Sequence, residues 1–130
     1  MKYYNIMKLV LFFCFLVCFE SGNVVLAVEN EEIEFLLSYI AASDCIFKRN
    51  NKQHQAQEAR EHLEMKYKHA GKHIKTADDF IEKIASKSSI TRRKYAVQCT
   101  GVELSAEQWL KQALASHRAF KKNMKKKGDK

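Results

Sequence analysis

QHQAQEAREHLEMKYKHA, residues 53–70, is the stretch whose reading decides the fold. Ala56, Ala59, Leu63, Tyr67 and Ala70 recur in it at spacings of 3, 4, 4 and 3, the period at which side chains line one face of an α-helix. That face is narrow and rich in alanine, so another helix can approach it closely. Almost everything between is charged or amide-bearing and belongs to solvent. Gly71 follows the last apolar residue and can take the left-handed conformation that ends a helix. This is the longest helix that the sequence predicts.

Upstream, residues 31–42 set Ile33, Leu36, Leu37 and Ile40 on one face, an amphipathic helix with Glu31, Glu32 and Glu34 in its first turn, where the helix dipole favours acids. Cys45-Ile46-Phe47 is a short β-prone run, and Lys48-Arg49-Asn50-Asn51 ends it in a turn whose asparagines suit positive φ. Downstream, Thr76 is an N-cap with Asp79 three residues on, a variant capping box that opens a helix carrying Phe80, Ile81, Ile84 and Ala85 inward. Ser86, Ser88 and Ser89 suit its end rather than its interior. Tyr95–Cys99 reads as a second strand, turned by Thr100-Gly101. Ser105-Ala106-Glu107-Gln108 is a capping box for a last helix that faces Trp109, Leu110, Ala113 and Leu114 inward. The expected fold is therefore mostly α, of α+β class, with four helices and a small two-stranded β element in one domain.

Residues 1–27 have the layout of an export signal. Lys2 and Lys8 precede an unbroken apolar run of 11 residues, 9–19, and Val25-Leu26-Ala27 offers the small residues at which such signals are cut. Cleavage is expected after Ala27. The competing reading, a membrane anchor, needs roughly 20 apolar residues, and Glu20 closes this run well short of that. Cys14 and Cys18 follow Phe13 and Val17 rather than the small residue that precedes a lipidated cysteine. The expected product is one domain, 28–117, with a basic, disordered tail, 118–130, in the periplasm or released beyond it. Export to an oxidising compartment leaves Cys45 and Cys99 as a lone pair, expected to form a disulfide. By the chain-entropy account such a bridge stabilises by about 4 kcal/mol. A redox or metal-binding pair is the alternative, without the C-x-x-C spacing that favours it.

The chain carries 23 Lys and Arg against 15 Asp and Glu, a net charge of +8. Residues 28–117 hold 14 basic against 13 acidic groups, so the excess sits elsewhere. Arg118, Lys121, Lys122, Lys125, Lys126, Lys127 and Lys130 face only Asp129. Such a block is either a solvated tail or a surface for anionic lipid or lipopolysaccharide, with Lys121, Lys122, Lys125, Lys126 and Lys127 as the binding residues. Nucleic acid is not expected, because only Phe120 interleaves with these lysines.

One constellation invites chemistry. His54-x-x-x-Glu58-x-x-x-His62 advances about 400° per step on a continuous helix, giving one drifting stripe, with His69 on the same flank as Glu58 and His62. An imidazole and a carboxylate at i and i+4 can hold zinc or form an acid/base pair. They can equally make one solvent-side ion pair. A metal site needs three or four ligands, and the H-E-x-x-H spacing of zinc peptidases is missing, so no cofactor is expected and zinc enters only with the metal reading. His69 and His73 are expected to be surface histidines, because Gly71 interrupts their helix. Ser86, Ser88 and Ser89 lack a nucleophile elbow.

Arg49-Asn50, His54, Glu58, His62-Leu63, Lys66, Ile74, Thr76-Ala77, Asp79-Phe80-Ile81, Ala85-Ser86, Ser88-Ser89, Tyr95 and Val97 together give a chain that resembles the YfeK-like family of small exported bacterial proteins, a domain of unknown function. The resemblance runs from about Ile33 to His117. It implies a Gram-negative envelope protein, periplasmic, and implies no activity, substrate or cofactor. Asn51 stands where a glycine is usual, and Arg92-Arg93-Lys94 replaces a Gly-x-Pro-like turn; both departures fall in turns. The functional expectation is a non-enzymatic binding or interaction domain of the envelope. The alternative is a small metal-dependent or acid/base enzyme using Glu58 and His62.

Overall fold

The computed structural model describes residues 23–128. The apolar run of the expected export signal, with Cys14 and Cys18, lies outside the described residues.

Helix α1, Asn23–Ala41, starts earlier than its acids suggest. Glu31, Glu32 and Glu34 therefore sit inside the helix rather than in its first turn, and Glu31 and Glu32 meet basic side chains of the last helix instead. The predicted stripe holds: Ile33, Leu36, Leu37 and Ile40 are at most 1% exposed.

Strands β1, Ile46–Arg49, and β2, Lys52–His54, form an antiparallel hairpin that pairs Phe47 with His54 and Arg49 with Lys52. Asn50 and Asn51 close it at φ 50° and 64°, the positive values that a two-residue hairpin loop requires. Here the structure corrects the expected helix start. The chain folds back as β2 through His54, and helix α2 spans Ala56–Ala70, opened by Gln55 in extended conformation. Gly71 ends α2 at φ 51°, as its lack of a Cβ permits, and a single 3₁₀ turn, Gly71–His73, follows.

Helix α3 opens with an α-helical turn, Ala77–Asp79, and continues as a π-helical segment, Phe80–Ala85. Thr76 caps it as predicted, accepting from Asp79 N at 3.0 Å, while Lys75 N donates to Asp79 Oδ2 at 3.1 Å. The wide turn lets Phe80, Ile81, Ile84 and Ala85 all face the core.

Strands β3, Ala96–Cys99, and β4, Val102–Ser105, form a second hairpin around Thr100 and Gly101 at φ 48° and 85°. The sheet has four strands in the order β2-β1-β3-β4, all antiparallel, rather than two. The two extra strands are the edges, LysGlnHis and ValGluLeuSer, too polar and short to show an alternating pattern. The central pair met expectation: β1 and β3 lie side by side, bridged by Cys45–Cys99 with Cα atoms 4.5 Å apart.

Helix α4, Ala106–Gly128, is capped by Ser105, which accepts from Gln108 N at 3.1 Å. It runs on through residues 118–128, where the sequence suggests a disordered tail. No glycine or proline interrupts it before Gly128, its lysines are good helix formers, and cations favour a helix C-terminus. The core is a single cluster in which Phe47 and Val97 from the sheet meet the buried faces of α1, α2, α3 and α4, with Trp109, Leu110 and Leu114 from the last helix.

Candidate functional site

Leu63 of helix α2 is buried in the core, and it and its neighbour His62 line a gap shared with the first hairpin. His62 and Lys66 come from α2, Arg49 from the end of β1, His54 from the end of β2, and Tyr95 from the residue preceding β3. Arg49, His54, His62 and Tyr95 line a small cavity of about 30 Å³ with apolar walls that include Phe47 and Leu63.

The polar groups there are closely linked. Lys66 Nζ donates to Ile84 O at 2.5 Å and Lys87 O at 2.9 Å, and it lies 3.5 Å from the Tyr95 hydroxyl and 5.1 Å from the ring centre. Tyr95 OH is also 3.5 Å from His62 Nε2. Burial, and then the positive charges of Arg49, Lys66 and His54, push His62 down to about 4, with Glu58 opposing. His62 is therefore a neutral imidazole at pH 7. Burial, followed by Arg49, lowers Lys66 to about 8, and burial raises the Tyr95 hydroxyl.

Glu58 turns to His54 rather than to His62: its Oε1 is 2.5 Å from His54 Nδ1. This i, i+4 contact joins the last residue of β2 to the first turn of α2 and takes the place of the expected Glu58–His62 pair. His54 Nε2 is buried with no partner among the described residues. His69 is not brought to this group. Its Nδ1 faces Met65 O at 2.8 Å, and it lines a separate open groove with His73. Among the described residues, no group of three or more His, Cys, Asp or Glu is placed to hold a metal ion. Arg49, Lys66 and Tyr95 are the site residues that charge patterning and metal spacing missed. Their one signal was membership of the residue set that carries the family resemblance.

The second polar feature is the end of α4. Arg118 binds Glu32 through two hydrogen bonds and Asp78 through a third, and Lys121 pairs with Glu31 at 2.5 Å. Lys121 is thus engaged, whereas Lys122, Lys125, Lys126 and Lys127 form no ion pair among the described residues. On the same stretch of helix Phe120 and Met124 are 63% and 56% exposed. None of the described helices is long and apolar enough to cross a membrane.

These features define a small, disulfide-pinned α+β domain with a small, mostly apolar pocket bordered by Arg49, His54, His62 and Tyr95. Residues 27–118 match the model of a family of unknown function, DUF5329, and the chain belongs to that family. It is also 40% identical, over 70 residues, to the uncharacterized protein YfeK of Salmonella typhimurium, a match covering 53% of this chain and 58% of that relative. The chain thus matches somewhat over half the length of this relative. No solved structure matches it.

Proposed function

We propose that the protein is an exported domain of the bacterial envelope that acts by binding, with the far end of α4 resting on an anionic envelope surface. The observation that carries this reading is the run of Lys122, Lys125, Lys126 and Lys127 in the last turns of α4, unpaired among the described residues, with exposed Phe120 and Met124 on the same stretch of helix. Lysines near an anionic lipid surface contribute about 1 kcal/mol each, and the apolar pair can enter the headgroup boundary. The leader-like residues 1–27 and the Cys45–Cys99 bridge support the exported location. The enzyme reading based on Glu58 and His62 draws less support, because the Glu58 carboxylate binds His54 and His62 faces a tyrosine hydroxyl instead.

Co-sedimentation with phosphatidylglycerol vesicles and with lipopolysaccharide tests the proposal. Replacing Lys122, Lys125, Lys126 and Lys127 by glutamine leaves the Lys121–Glu31 pair in place and should abolish binding. Equal binding by this variant, or no binding by the parent protein at low salt, would refute it.

A further inference from the structure

The cavity under α2 has walls of one kind and a rim of another. Ile40, Phe47, Leu63 and Leu110 contribute apolar surface, while Arg49 and His62 are polar. At about 30 Å³ it has room for about two water-sized spheres, which suits a methyl or ethyl group and excludes a ring.

Arg49 is the unusual member of the rim. It is half-buried, yet its side chain forms no hydrogen bond or ion pair among the described residues. Glu58, the carboxylate that acts on His62, is held by His54. A guanidinium presents a planar fork of donors matched to the two oxygens of a carboxylate. The charge of Arg49 also opposes the charging of His62 and Lys66.

We propose that this pocket binds a short aliphatic carboxylate, with its alkyl end in the apolar cavity and its oxygens on the Arg49 fork beside His62 and Tyr95. Propionate and the C-terminal alanine of a peptide share this chemistry, a small alkyl group next to a carboxylate. A phosphate lacks the apolar end. The lysines of α4 take no part, so this inference goes beyond the proposed function and stands apart from it.

The test is an NMR titration of the oxidised protein at neutral pH and constant ionic strength, following the His54 and His62 rings and the Arg49 Nε–H. The probes are propionate, N-acetyl-Ala-Ala, its C-terminal amide and inorganic phosphate. Saturable shifts are expected with propionate and the free-acid peptide but not with the amide or phosphate. A stronger response to the peptide identifies a chain terminus as the source, and a response to propionate at least as strong identifies a free acid. Arg49→Gln should weaken binding at least tenfold, with Arg49→Lys in between. Ala59→Val adds bulk to the cavity lining while leaving the Arg49 fork unchanged and should weaken binding comparably. Shifts that never saturate, an equal response to the amide or to phosphate, or unchanged affinity in both Arg49→Gln and Ala59→Val would overturn the assignment.

Discussion

Arg118 holds Glu32 by two parallel hydrogen bonds, Nε to Oε1 at 2.8 Å and Nη2 to Oε2 at 2.7 Å, and the same Nη2 reaches Asp78 Oδ2 at 3.0 Å. One guanidinium thereby joins α4 to α1 and α3 at the point where α4 leaves the core. The bidentate geometry makes this stronger than a single surface pair, though solvent exposure limits its worth to about 1 kcal/mol. Arg118→Ala should lower stability by about that amount and speed amide hydrogen exchange selectively from 118 onward. Unchanged protection there would mean that the helix end holds itself.

Cys45, the residue before β1, is joined to Cys99 at the end of β3, so the bridge links neighbouring strands through residues 54 apart in the chain. The bridge confines the unfolded chain at the strand pair around which both hairpins are arranged. The double variant Cys45→Ser, Cys99→Ser should lose about 2–5 kcal/mol, read from denaturant unfolding of the variant beside the oxidised parent. A loss under about 1 kcal/mol would mean that the hairpins align without the bridge.

Lys66 supplies the hydrogen bonds that Ile84 O and Lys87 O accept near the end of α3. Lys66→Met keeps the length of the side chain and removes the donor, leaving half-buried carbonyls without that partner, a change that should cost about 1–3 kcal/mol. Lys68→Met, which removes only the exposed pair with Glu64, should stay within about 0.5 kcal/mol. Chemical denaturation of the two variants side by side checks the contrast; equal losses would deny Lys66 a structural role.

Wherever an apolar stripe or a cap governed a segment, the sequence was informative. Ile33, Leu36, Leu37 and Ile40 are buried as their spacing predicts, and Thr76 and Ser105 cap their helices. The edge strands were illegible because hairpin pairing satisfies their backbones without apolar side chains. Reading residues 53–55 as helix puts His54 on one stripe with Glu58 and His62, whereas the chain places His54 at the end of β2. Arg49 and Tyr95 meet His62 only because β1 and β3 are adjacent, a tertiary fact that no local spacing encodes. The two turns that depart from the family pattern also prove to touch, since Thr91 Oγ1 donates to Asn50 Oδ1 at 2.6 Å.

His62 gives the fold a pH dependence of definite sign. Its pKa falls from 6.5 to about 4 in the folded protein, so between these values the unfolded chain binds the proton more readily. Stability therefore falls as pH drops from 6.5 toward 4. Lys66 acts in the alkaline range by the same rule: with its pKa lowered from 10.5 to about 8, stability rises as pH climbs through that window. The carboxylates held low by partners, Glu64, Asp79 and Glu107 among them, lose their contribution only as they protonate below their ordinary values of 3.8 to 4.5. The interval from pH 6.5 down to 4.5 therefore reports mainly on histidine. Urea unfolding across it should show a decline in the parent protein and a flatter profile in His62→Gln, which has nothing to titrate there. The same slope in both proteins would place the neutral imidazole elsewhere and remove His62 from the buried rim of the pocket.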